Sequence, residues 1–230
     1  MNIRIFKYLP EEHKKSVLNT GSISIGTIEH YREKEKDKRG DPTEGKYTFW
    51  IYPKKGETIT LTNKEANSIS YDYLLKDRGL CIGEQTHFRD KLEVPNVFVF
   101  CASTIQSKNL NKFGEAVYEI LNIRSFGNMI YNKLNEYQPI ITWMAKPVEY
   151  VKTKFIRVTN ENKKQVLPCY TQDYAEVPGF NTIQLKDYFV KTNDFKLGSE
   201  FRFIFIPRGK PVFSQKIINV PEINKVIQMK

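Results

Sequence analysis

The sequence lacks most of the signatures that assign a function directly. No apolar stretch reaches about 18 residues, so no membrane span and no membrane partner are expected. Met1-Asn2-Ile3-Arg4 opens the chain without an apolar signal region, which predicts a protein that stays in the cytoplasm. Three cysteines, Cys81, Cys101 and Cys169, are odd in number and widely spaced. They fit neither a disulfide framework nor a zinc site, and Cys101 inside its apolar run reads as a small buried hydrophobe in a reducing compartment. His13, His30 and His87 show no ligand spacing, and His13 and His30 are expected on exposed helix faces. No metal is therefore expected, an all-carboxylate site being the one arrangement left open. Neither a GxxxxGKS/T nor a GxGxxG phosphate loop occurs, and there is no GxSxG nucleophile elbow. Internal repeats, low-complexity tracts and long linkers are missing as well.

What is present is a globular composition with a strong charge. Hydrophobic residues make up 40% of 230, enough for one substantial core. The net charge of +10 concentrates anions such as phosphates and nucleic acid around the protein. On charge alone, a nucleic-acid partner and a merely lysine-rich composition stand level.

Short elements alternate along the chain. Residues 2–6 read as a strand, Pro10-Glu11-Glu12 opens a helix that Gly21 ends, and 22–25 alternates as a half-buried strand. A second helix runs through Ile28 and Tyr31. Residues 46–52 are β-prone and are expected to pair with 58–62 across Lys55-Gly56; 63–95 resists assignment. Residues 96–101 and 116–121 read as buried strands, 123–134 as an amphipathic helix, and 139–151 as a strand broken at Pro147. Residues 159–181 look like a polar insertion and 185–190 like a short helix. Residues 200–206 and 211–218 suggest a hairpin around Pro207-Arg208-Gly209-Lys210. The sum is one α+β domain over 1–230 with mostly short strands.

The informative feature is a set of polar residues at the ends of apolar strands. Lys7 and Tyr8 follow Ile3-Arg4-Ile5-Phe6; Ser103 and Thr104 follow Val97-Phe98-Val99-Phe100-Cys101; Glu200 and Arg202 open Phe201-Arg202-Phe203-Ile204-Phe205-Ile206. Ser103 and Thr104 serve equally as caps of the next turn or as part of a cleft. Glu200 and Arg202 share a strand face, either as a surface pair or with Glu200 stabilising an oxocarbenium-like centre. In Asp41-Pro42-Thr43-Glu44-Gly45, ordinary turn chemistry competes with a role for Asp41 or Glu44 at a site rim or on a ribose hydroxyl.

These residues together resemble the ADP-ribosyltransferase superfamily, in its arginine–serine–glutamate bacterial toxin branch and related defence-associated proteins. The resemblance rests on Ile5-Phe6-Lys7-Tyr8-Leu9, Gly26-Thr27-Ile28-Glu29-His30-Tyr31-Arg32, Asp41 to Gly45, Phe100-Cys101-Ala102-Ser103, Lys191 and Glu200-Phe201-Arg202. Lys7 stands where that branch has arginine, and Ala102 where it has the first serine of a triplet. The resemblance implies a split β-sandwich of short, mostly antiparallel strands with flanking helices, and NAD as substrate. It implies Glu200 as the catalytic carboxylate, Lys7, Arg4 or Arg32 on the pyrophosphate, Tyr8 and Tyr31 flanking nicotinamide, and Ser103 and Thr104 at the hydroxyl position. The acceptor it implies is RNA or single-stranded DNA, in toxin–antitoxin or phage defence, with an antitoxin protein as a partner. Three other readings remain open: the same chemistry on a protein, a nucleic-acid-binding module without chemistry, and a metal-dependent nuclease using Asp41, Glu44 and Glu200.

Overall fold

A computed structural model describes residues 3–33, 45–51, 53, 55–61, 80–82, 88–152, 154–161 and 188–230. The chain divides into two compact units, one formed by Met1–Glu44, Asn96–Tyr150 and Lys191–Lys230, the other by Gly45–Pro95 and Val151–Val190. Both carry short strands, and the class is α+β with mostly antiparallel pairing. Among the described residues no helix is long and apolar enough to cross a membrane.

The first unit is built on an eight-stranded sheet around the strand Phe98–Ser103. Glu200–Pro207 lines one edge of that strand, Glu200 opposite Ser103 and Phe205 opposite Phe98, and pairs in turn with Ile140–Pro147. Two strands share the other edge. Ser22–Thr27 meets it at Phe98 and Val99, while Ile5–Leu9 meets it at Ser103. The sheet therefore splits at the middle of this edge. Outboard, Gln215–Asn219 pairs with Ser22–Thr27, and Ala116–Ile120 joins Ile5–Leu9 to Ile227–Met229.

Strict alternation gives the central pair of strands two unlike faces. Phe98, Phe100 and Ala102 lie opposite Phe205, Phe203 and Phe201 and form an apolar face. The helix Ile123–Asn135 packs there through Phe126, Ile130 and Leu134, four residues apart. Phe126 lies 5.2 Å from both Phe100 and Phe203, ring centre to ring centre. The Asn122 side chain caps this helix by accepting the Ser125 N–H at 2.9 Å. Gly127 is obligatory in it, because a Cβ there would sit 2.3 Å from the Trp143 ring. The other face, through Cys101, Ser103, Glu200 and Arg202, is polar.

In the second unit Lys46–Ile51 pairs antiparallel with Phe88–Glu93 and parallel with Phe155–Val158. Ile59–Leu61 pairs with Leu80–Ile82. Tyr188 is buried and donates its hydroxyl to the Pro95 carbonyl at 3.2 Å.

Several local expectations need correction. Residues 46–51 do not form a hairpin with 59–61; each finds a distant partner, and the unassigned 63–95 segment supplies strands to both. The hairpin of 200–206 with 211–218 does not form either. Glu200–Pro207 is buried along its length and takes partners on both edges, which leaves 215–219 to the far side of the sheet. Tyr188 and Phe189 lie in a turn that enters the strand Val190–Thr192, not in a helix, and the rest of the 185–190 stretch lies outside the described residues. His30 is half-buried against Tyr31, with ring centres 5.6 Å apart, rather than on an exposed face.

Candidate functional site

Glu200 is the centre of the polar face. Register places it opposite Ser103, and alternation brings Arg202 to its side. The Arg202 Nε donates to Oε1 at 2.5 Å, and the Lys191 ammonium meets Oε2 at 2.8 Å. All three side chains are nearly enclosed; Arg202 keeps 2% of its side-chain surface and Lys191 10%. Burial pushes the Glu200 carboxyl toward its neutral form, but the charges and hydrogen bonds of Arg202 and Lys191 outweigh it and hold the group well below the ordinary carboxylate range. The site thus presents a carboxylate that stays ionised in a largely dehydrated place.

The backbone beside it is under close control. Ser199 has φ +39° and ψ +53°, the left-handed region that a side chain disfavours. Its carbonyl accepts from the Thr104 N–H at 2.7 Å, the Thr104 hydroxyl at 3.1 Å and the Ser103 hydroxyl at 3.5 Å. The Glu200 N–H donates to the Tyr150 hydroxyl at 2.8 Å, and the Glu200 carbonyl accepts from Val148 N–H at 2.9 Å. Ser103 also accepts the Ile105 N–H at 3.2 Å. Both hydroxyls at the strand end therefore act on the residue before the carboxylate, and that of Ser103 caps the turn as well.

The split edge brings further groups to this place. Lys7 reaches into it and donates to the Cys101 carbonyl at 2.7 Å, with its ammonium 4.8 Å from the Phe100 ring centre. Burial lowers the Lys7 pKa, and the charge of Glu200 works against that fall. Burial, and after it the nearby Glu200 charge, push the Cys101 thiol up to about 12, which keeps it protonated and unreactive. Burial raises the Tyr31 phenol well above its ordinary value, and the nearby Cys101 and Glu200 push it the same way. The motif from Gly26 to Tyr31 has a steric cause: a Cβ on Gly26 would stand 3.0 Å from the Tyr31 ring.

The sequence-derived residues thus fall into groups. Glu200, Arg202, Ser103, Thr104, Lys7 and Tyr31 converge on one place, with Lys191 from the same sequence pattern. Arg4 does not join them. It forks onto the Glu119 carboxylate at 2.7 and 2.9 Å, with 60% of its side chain in water. Tyr8 is buried with Phe6, Leu110 and Val117, and its hydroxyl accepts the Ser107 N–H at 2.6 Å and donates to the Ser107 carbonyl at 3.1 Å. Arg32 is half-buried on the helix Ile28–Glu33. Asp41 and Glu44 lie outside the described residues. An open cleft of about 800 Å³ runs beside the strand ends, with Arg4, Phe6, Thr104, Gln106 and Pro147 among its lining.

Sequence reasoning passed over Tyr150 and gave Lys191 no role. Tyr150 follows Pro147-Val148-Glu149, and nothing local marks its hydroxyl as an acceptor for a residue fifty positions on. Among the described residues no three His, Cys, Asp or Glu side chains come together as metal ligands. Neither the family models, the curated proteins nor the solved structures compared with this chain match it.

Proposed function

We propose that the chain is an NAD-dependent ADP-ribosyltransferase of the split β-sandwich type, a cytoplasmic toxin that transfers ADP-ribose from NAD to RNA or single-stranded DNA. The observation that carries this reading is the placement of Glu200. It is an ionised carboxylate held by Arg202 and Lys191 at the split of the sheet, with Lys7, Tyr31 and the Ser103–Thr104 pair around it. Each Glu200 oxygen keeps a lone pair beyond the one that Arg202 or Lys191 occupies, and through these the carboxylate meets the ribose on which positive charge develops.

The step balances simply. The bond between nicotinamide nitrogen and ribose C1′ breaks, nicotinamide leaves as a neutral ring with the bonding pair, and the ribose carries the positive charge. Glu200 stabilises that charge and orients a ribose hydroxyl. A nucleophile on the acceptor bonds to C1′ and loses its proton. Lys7, half-buried beside Glu200, holds the pyrophosphate, with Arg32 as the alternative, and Tyr31 flanks nicotinamide. Tyr8 supports the 104–107 loop beneath. The net charge of +10 supports a nucleic-acid acceptor, and a toxin of this kind requires an antitoxin partner.

Incubation with NAD and labelled RNA, single-stranded DNA or protein tests this. Nicotinamide release and label transfer to a nucleic acid are expected, both falling by at least about a hundredfold in Glu200→Gln assayed where circular dichroism shows it folded. Transfer to protein alone moves the acceptor; mobility shift without nicotinamide release makes the chain a binder. Chelator-sensitive cleavage without NAD makes it a nuclease and ends the proposal.

A further inference from the structure

The turn after the helix Ile123–Asn135 and the loop after the strand Glu200–Pro207 meet on the first unit. One buried amide joins them. Gln138 donates to the carbonyls of Arg208 and Lys210 at 3.0 and 2.8 Å and accepts the Val212 N–H at 3.1 Å. The Arg208 N–H adds a bond to the Pro139 carbonyl at 2.8 Å. Four backbone ties across so short a loop fix its shape. Arg208 and Lys210 are nevertheless exposed.

Beside this loop two aromatic rings reach the surface. Tyr137 and Phe213 stand edge to face, 6.0 Å apart, and Tyr137 is 37% exposed. The Lys216 ammonium hangs 4.0 Å from the Tyr137 ring centre, and the Lys133 ammonium lies 6.0 Å from it. Segments 133–138 and 208–216 together carry four cations, Lys133, Arg208, Lys210 and Lys216, against the single carboxylate of Glu136. Rings interleaved with cations on a fixed loop suit a ligand with flat apolar faces and a repeating negative charge. Neither element alone requires one: a lysine stem covering a core rim is ordinary. Rigidity, excess charge and two rings in one place are the combination that a polyanion with stackable bases recognises.

We propose that this surface docks single-stranded nucleic acid, with a base stacked on Tyr137 and phosphates on Lys216, Lys210 and Arg208. It rests on the acceptor half of the function proposed above, yet it is separable from the chemistry, because binding here needs no NAD.

Fluorescence anisotropy with a labelled oligouridylate of about 12 nucleotides, without NAD, tests it. Tyr137→Leu keeps the side-chain cover but removes the ring, and is expected to weaken binding about tenfold. Lys210→Gln with Lys216→Met keeps the stems and should flatten the salt slope by about 1.4, two phosphates at about 0.7 each. Lys15→Glu with Lys225→Glu, exposed elsewhere, serves as the charge control. The proposal is overturned if the Tyr137 and Lys210/Lys216 variants bind as the wild type does, or lose no more than the control. It is overturned too if polyglutamate competes equally and Tyr137→Leu changes nothing, since the surface would then be a charge patch for acidic protein. Binding that depends on these residues without nicotinamide release upholds this surface and sinks the transferase; nicotinamide release with no oligonucleotide binding does the reverse.

Discussion

The first unit contains two carboxylates clamped in the same way and set in different surroundings. Glu119 receives the fork of Arg4 and the ammonium of Lys230 at 2.6 Å; Glu200 receives Arg202 and Lys191. The carboxylates themselves are equally hidden, with 11% and 14% of their side chains exposed. Their cations are not. Arg4 is 60% exposed and Lys230 23%, against 2% for Arg202 and 10% for Lys191. Water can solvate Arg4 and Lys230 if Glu119 is lost. Around Glu200 it cannot, so the buried cluster stands or falls together.

The sharpest test of that difference is Glu200→Gln read as stability rather than activity. It leaves Lys191 and Arg202 facing a neutral amide in an enclosed place, and a loss of about 3–5 kcal/mol is expected in urea unfolding. High salt should not restore it, because the cations are shielded from the ions. A loss under about 1 kcal/mol would mean that the buried cluster behaves like the surface one.

A smaller effect probes the backbone beside the cluster. Ser199 has left-handed φ, and its carbonyl is gripped by Ser103 and Thr104. Ser199→Gly is expected to change stability by no more than about 1 kcal/mol, the relief of strain offsetting the freedom gained by the unfolded chain. Ser199→Val should be clearly worse, since a branched side chain resists this region. Equal melting curves for the two variants would show that the strained conformation is not retained.

How much of this was legible in sequence follows from the range of each cause. Helix Ile123–Asn135 and strand Ala116–Ile120 were readable because their patterns are local. The Glu200–Arg202 pair was readable because two residues along a strand share a face. The pairing of Glu200–Pro207 was not: a wholly apolar run carries no mark of which strands flank it, and proximity in sequence favoured a hairpin that burial on both edges ruled out. The role of Tyr150 was equally hidden, because it arises from topology alone. Gly26 with Tyr31 lies between these cases. The spacing was visible, whereas its reason, a ring 3.0 Å from where a Cβ would stand, needed coordinates.

The smallest expected effect belongs to the exposed clamp. Hydrogen bonds from Arg4 and then Lys230 hold the Glu119 carboxyl down to about 2, below its ordinary 4.5. As acid is added, the unfolded chain takes up this proton before the folded one does. The contribution of Glu119 is therefore whole above pH 4.5 and drains away as pH falls toward 2. Glu119→Gln should lower the melting temperature at pH 7 by no more than about 3 °C in low salt, because its cations are already hydrated. That difference should shrink in about 1 M salt, where screening reaches down to about 3 Å. It should also shrink to a small remainder near pH 2 in any buffer that leaves the fold intact. A difference that persisted in high salt would put Glu119 in the same class as Glu200, and the contrast in cation exposure would then explain neither.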